Sequence, residues 1–353
     1  MAPLKLEVPF QPLRNTLYSS FELMDAFDPI SPDSMADTLD FKSYRYFISN
    51  GAAATTDPYA GMMEALHDNS ILRSMTVFLQ QVARPAVAIM GGHGERRDTS
   101  NYANVVEIAR RLTKAGYLVS SGGGPGAMEA THLGALLANA ADREVGDALT
   151  LLKASPHLPE SKNVVDKEGM VDMQIVRALH AWAKPAFELG KRYIDSGAES
   201  LAVPTWYYGH EPISPLASHV AKYFQNSIRE DVLLSMAANG IIYTAGAAGT
   251  LQEVFQDAAQ NYYPKPGEAF APMVFFGEKF WTQKLPVMPV LEALFVGNNK
   301  LTAQEFKDLV VVVDTVDDAV AKLLVHNPTE QKTANRMKAL GFGQMMKAAE
   351  LNI

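Results

Sequence analysis

Three short apolar runs in this chain each stop at a cluster of small residues. They are Ala86–Met90 before Gly91-Gly92-His93-Gly94, residues 117–121 before Gly122-Gly123-Gly124-Pro125-Gly126, and Ile241–Tyr243 before the loop at 245–249. A stretch with helical apolar spacing follows each one. A short, unbroken apolar run of this kind suits a strand buried on both faces, and such strands alternating with helices build a parallel sheet covered on both sides. The pattern predicts an α/β chain: a doubly wound, Rossmann-like parallel sheet with helices on both faces, plus an N-terminal helical extension. Ligands in such sheets sit at the carboxyl ends of strands, and all three clusters fall there.

The remaining elements fill in this plan. Further strands are expected at 149–152, 200–204, 271–276 and 309–313, and helices at 102–115, 127–141, 173–195, 218–238, 289–296 and 315–325. Residues 1–84 differ: Pro3, Pro9, Pro12, Pro29 and Pro32 punctuate an arm with short helices. A long helix at 59–82 follows, with Met62, Met63, Leu66, Ile71, Leu72, Met75 and Phe78 near helical spacing, placed to pack on the core or on a second subunit. The domain reading is an arm and helix at 1–84, a nucleotide-binding domain at 85–326 with an irregular insert at about 154–172, and a helical tail at 327–353.

Composition narrows the chemistry. The 353 residues include no cysteine, which excludes disulfides, thiolate metal sites and cysteine nucleophiles. A net charge of −8 argues against nucleic acid or an anionic membrane surface as partner, since both need basic patches. No apolar run nears the about 20 residues that span a bilayer, and Met1–Pro9 lacks the basic-then-apolar pattern of a secretion signal. The expectation is a cytoplasmic protein. No His, Asp and Glu set has metal-site spacing: His210 and Glu211 lack a partner at helical distance, and His219 is isolated. No metal and no redox cofactor is called for.

The loop after 241–243 carries the most chemistry. Gly246-Ala247-Ala248-Gly249 leads to Thr250, which is expected to open a helix, with Glu253 one turn on. Strand, small-residue loop and helix start make a phosphate cradle, because converging N–H groups and the helix dipole favour an anion. Glu253 exceeds what phosphate binding needs. Thr250-Leu251-Gln252-Glu253 also fits a capping box, in which Glu253 only bonds back to the Thr250 backbone. Gly122, Gly123, Gly124 and Gly126 are more glycine than a turn requires, which points to close backbone approach by a ligand. Gly91 and Gly92 leave room for a base or ribose, while His93, Arg96 and Arg97 are expected to be solvated surface groups. Arg229 sits at the edge of an apolar stripe, suited either to phosphate or to an intrahelical pair with Glu230 or Asp231.

Taken together, Gly122–Met128, 245–253 and Arg229 resemble the Lonely-guy family over roughly residues 85–325. Gly122 to Met128 is similar to that family's Gly-Gly-Gly-x-x-Gly-x-Met signature, and Gly124-Pro125-Gly126-Ala127-Met128 comes closest to the form in bacterial nucleotide nucleosidases. Residues 245–253 resemble its Pro-Gly-Gly-x-Gly-Thr-x-x-Glu motif, with Ala245 in place of Pro and Ala247 in place of the second Gly. Ala at 247 serves unless that position needs positive φ. The resemblance implies cleavage of the N-glycosidic bond of a nucleoside 5′-monophosphate, AMP-like, to free base and ribose 5-phosphate. It makes Glu253 and Arg229 catalytic and implies a homodimer or higher homo-oligomer. Gly246, Ala247, Gly249 and Thr250 would hold the phosphate. Gly91, Gly92, Gly122, Gly123, Gly124, Gly126 and Met128 would shape the nucleoside pocket. Relatives have carried a lysine decarboxylase label, but no lysine here lies in a recognisable cofactor-anchoring context. Two other classes are a nucleotide sensor without catalysis and a dinucleotide-dependent oxidoreductase, the latter disfavoured by the missing Gly-x-Gly-x-x-Gly fingerprint.

Overall fold

A computed structural model describes residues 7–55, 57–264 and 269–325. At its centre is a seven-stranded, all-parallel sheet: β1 (Ala86–Met90), β2 (Leu118–Ser121), β3 (Ser200–Ala202), β4 (His219–Val220), β5 (Ile241–Tyr243), β6 (Met273–Phe276) and β7 (Val310–Val313). The order is β4-β3-β2-β1-β5-β6-β7. The chain runs outward from β1 in one direction and then returns to β1 to run outward in the other, so the switch point lies between β1 and β5. Two pairings fix the register there, Ala88 opposite Ile241 and Met90 opposite Tyr243.

Alternation along β1 explains why both faces are covered. Ala86, Ala88 and Met90 face one apolar cluster while Val87 and Ile89 face the other. Burying a side chain such as Val87 or Ile89 contributes about 1.5–3 kcal/mol. In chain order the helices are α1 (Ser20–Leu23), α2 (Leu39–Ser49), α3 (Pro58–Val82), α4 (Ser100–Lys114), α5 (Ala127–Leu136), α6 (Asp142–Lys153), α7 (Met173–Tyr193), α8 (Asn226–Met236), α9 (Ala248–Tyr262), α10 (Met288–Phe295), α11 (Ala303–Leu309) and α12 (Val316–Val325). Helices α4, α5 and α12 pack on the Val87 face, and α3, α8 and α9 on the other. The expected doubly wound fold is present. No helix among the described residues is long and apolar enough to cross a membrane.

The N-terminal region is part of this body. Phe10, Tyr18, Leu23, Phe41 and Phe47 are buried in the same cluster as β1 and α8. Tyr18 and Val220 exchange backbone hydrogen bonds at 3.1 and 2.8 Å, which covers the outer edge of β4. On α3, Met63, Ile71 and Met75 are buried, while Tyr59, Met62 and Leu66 are 40–46 % exposed along one strip. The tail at 327–353 lies outside the described residues.

Several sequence expectations change. Residues 149–152 form the end of α6, where Val145, Ala148 and Leu152 make a buried helical stripe. The stretch 218–238 divides: His219 and Val220 pair with Leu201 and Ala202 as an edge strand, and the helix begins only at Asn226. The helix expected over 127–141 ends at Leu136. Helix α11 was not expected, although Thr302 and Glu305 close a capping box at its start.

Candidate functional site

The three small-residue loops meet at the carboxyl ends of β1, β2 and β5. Gly92 N–H donates to the Ala245 carbonyl at 3.1 Å, which ties the loop after β1 to the loop after β5. Ala127 N–H donates to the Gly92 carbonyl at 3.2 Å, which brings in the start of α5. Gly126 is where the crowding is greatest. Its φ is +72°, and a Cβ there would come within 2.4 Å of the Gly92 carbonyl oxygen, so both backbone strain and contact exclude any other residue.

Helix α9 begins at Ala248, two residues before Thr250, and no side chain caps it. Thr250 therefore lies inside the first turn, and the capping box expected over 250–253 does not form. The N–H groups of Ala248, Gly249 and Thr250 find no acceptor among the described residues; these are the free donors of a helix start. Ala247 has φ −117°, an ordinary extended value, so alanine is accommodated where the motif carries glycine. A Cβ at Gly249 would meet nothing within 4 Å. Packing within the chain does not explain that glycine, and Ala247, Ala248 and Gly249 are exposed.

Released from capping, Glu253 faces Arg229 across the gap between α8 and α9, with Nη1 and Oε1 3.7 Å apart and side-chain exposures of 11 % and 13 %. Arg229 Nε donates to the Val203 carbonyl at 2.9 Å, just past β3. A Cβ at Gly122 would lie 2.5 Å from both Arg229 Nη2 and Met128 Sδ, so the first glycine of the β2 loop leaves the space the guanidinium occupies. The intrahelical alternative is not adopted. Glu230 instead accepts from Asn226 and Gln252, and Asp231 accepts from Gln256. Asp68 on α3 sets the start of α8 by accepting the N–H groups of Phe224 and Gln225, each at 2.9 Å.

The electrostatics of Glu253 are unusual for a carboxyl. Burial pushes it up to about 7, with Arg229 pulling down and Glu230 pushing up. It accepts no hydrogen bond from a described residue, so at neutral pH it exchanges protons near its midpoint.

All the sequence-designated residues gather at this one end of the sheet. Gly122, Gly123, Gly124, Met128 and Arg229 line a small cavity together with Tyr208, Glu211 and Lys222. Those last three were not singled out as ligand-binding residues. The sequence offers Glu211 only as a metal ligand without a partner, and its neighbours here come from distant loops that no local spacing reveals. Glu211 also lines an open cleft walled by His93, His157, Lys162 and Trp182, so residues of the 154–172 insert form part of the surroundings.

Arg97 is a correction. It is 3 % exposed, not a surface charge. Its Nε and Nη2 donate to the two Glu129 oxygens at 2.7 and 2.6 Å, and Tyr102 Oη adds a third bond to Glu129 at 2.8 Å. Arg97 also lies 3.7 Å over the Trp182 ring. Arg96 does stay at the surface, paired with Asp98, and His93 is 60 % exposed. In comparisons with protein-family models and with curated proteins, the chain matches none.

Proposed function

We propose that this protein hydrolyses the N-glycosidic bond of nucleoside 5′-monophosphates, as the resemblance to the Lonely-guy family implies. The observation that carries the reading is Glu253. It is a carboxyl held near neutrality by burial, 3.7 Å from Arg229, on a helix whose uncapped start lies at the sheet's switch point. The free N–H groups of α9 bind the 5′-phosphate. Glu253 lies five residues into that helix, about 7.5 Å along its axis at 1.5 Å per residue, which is of the order of the separation between a 5′-phosphate and the anomeric carbon. Cleavage develops positive charge on the ribose, which an ionised Glu253 stabilises while taking a proton from the attacking water. Arg229 favours that ionised form and is placed to bond the ribose or phosphate.

A panel of nucleotides with detection of free base and ribose 5-phosphate tests this directly. Saturable AMP binding with no base released would replace hydrolysis by sensing.

The pH dependence follows from the sign of the shift. Glu253 acts as its carboxylate, so kcat/KM is expected to rise as pH increases through about 7. Arg229 lowers the Glu253 pKa, so Arg229→Gln is expected to move that limb to higher pH as well as reduce the rate. A limb unmoved in the variant would remove Arg229 from the proton chemistry.

The same reading implies a homodimer or higher homo-oligomer, and the exposed strip of Tyr59, Met62 and Leu66 on α3 is the surface we assign to the contact. Light scattering at micromolar concentration is expected to give at least twice the chain mass, and Met62→Glu to reduce it. A monomeric wild type would refute the assignment.

A further inference from the structure

The hydrolytic reading leaves one half of the reaction without a residue. A base departing from C1′ carries off the bonding electron pair and needs a proton, and a carboxylate that activates water cannot supply it in the same step. Glu211 occupies a place where that proton is needed. It forms part of the wall between the two openings at this end of the sheet, one holding Arg229 and the β2 glycine loop, the other the open cleft beside His93 and Lys162. A Cβ at Gly124 would come 3.3 Å from Glu211 Oε2, and one at Gly122 would come 2.5 Å from Arg229 Nη2. The two glycines are two residues apart, at most about 7 Å of chain. Glu211 and Arg229 therefore face the same glycine loop and line one cavity, with Glu253 Oε1 3.7 Å behind Arg229 Nη1.

We propose that Glu211 is the acid that protonates the departing base, which lies in the open cleft and, where it is a purine such as adenine, leaves protonated at N7. This rests on the hydrolytic reading above. The carboxyl is 13 % exposed and accepts no hydrogen bond from a described residue; His93 Nδ1, 3.7 Å away, is its nearest recorded charged partner. Burial raises its pKa, against the pull of His93, Arg229, Lys162 and Lys222. In the step, the C1′–N9 bond breaks and its electron pair passes into the purine, while N7 takes the Glu211 proton. Water then bonds to C1′ and loses a proton to Glu253. Glu253 returns that proton to solvent and Glu211 recovers one from solvent through exposed His93, leaving free base and ribose 5-phosphate as the only products. The two carboxyls divide the work: one begins protonated, the other ionised.

The test compares two leaving groups in wild type and Glu211→Gln. AMP needs a proton on its base, whereas the ribose 5-phosphate glycoside of 4-nitrophenol releases an anion stable without one. Glu211→Gln is expected to slow AMP cleavage by about 10²–10⁴-fold, the range of a lost general acid, and nitrophenol release by less than about tenfold, with an unchanged melting temperature. Equal losses on both substrates, or no loss on AMP, would overturn the role of Glu211 while leaving hydrolysis intact. A wild type inert on both would overturn the hydrolytic reading itself.

Discussion

Glu253→Gln is expected to reduce base release from a nucleoside monophosphate by about 10²–10⁴-fold, which is about 2.7–5.4 kcal/mol of barrier. The amide keeps the shape of the carboxyl but cannot take a proton from water, and it offers no full negative charge to the developing ribosyl cation. Its effect on stability should be opposite in sign. The folded chain binds a proton at Glu253 more tightly than the unfolded chain does, because burial raises the folded pKa to about 7. Ionisation of this group therefore opposes folding as pH rises through that value, and glutamine removes the penalty. The variant should melt no lower than wild type at pH 8. Its nucleotide affinity should fall little, because the phosphate is held by α9 backbone groups. Steady-state kinetics, a melting curve and binding of AMP separate these effects. A variant that unfolds, or one that retains wild-type turnover, would refute the assignment.

What the chain reveals in sequence and what it hides differ by the range of the interactions. The buried strands were legible because Ala86–Met90 and Ile241–Tyr243 are apolar without alternation and stop at small residues, both local signals. So was the site's location, since strand ends and glycine loops coincide. The edge strand His219–Val220 was not, because it is held by Leu201, Ala202 and Tyr18, all far away in sequence. The pattern Thr-x-x-Glu shows the limit of local signals. At Thr302–Glu305 it closes a capping box, but at Thr250–Glu253 it does not, because α9 starts two residues earlier. The second glutamate is then free to meet Arg229 on the neighbouring helix. Leu149, Leu151 and Leu152 suggested a strand, as a short apolar run permits, yet they belong to a helix whose Glu144 accepts the N–H of Ala141 at its start.

The deepest departure, Arg97, leads to the largest expected loss of stability. Glu129→Ala is expected to cost about 3–5 kcal/mol in urea unfolding, since it removes one partner of a fully buried ion pair and leaves the other uncompensated. Arg97 and Glu129 side chains are each 1 % exposed, so neither charge can turn to water. Tyr102 Oη would lose its acceptor as well. The damage should reach the site, because this pair joins the segment after Gly91-Gly92 to the helix that follows Gly122–Gly126. Arg97 Nη1 also bonds the Trp182 carbonyl at 2.9 Å, and Arg97 N–H bonds the carbonyl of Pro156 at 3.3 Å. The loops after β1 and β2 and the start of the insert thus share one anchor. Glu129→Gln keeps an acceptor and the volume, and should lose less. Replacing both partners, as in Arg97→Met with Glu129→Leu, should recover part of the stability by removing both buried charges together. A double-mutant cycle measures that coupling. A loss below about 1 kcal/mol for Glu129→Ala would show that the pair is not buried in solution, and a stable but inactive variant would show that its main work is to hold the loops in register.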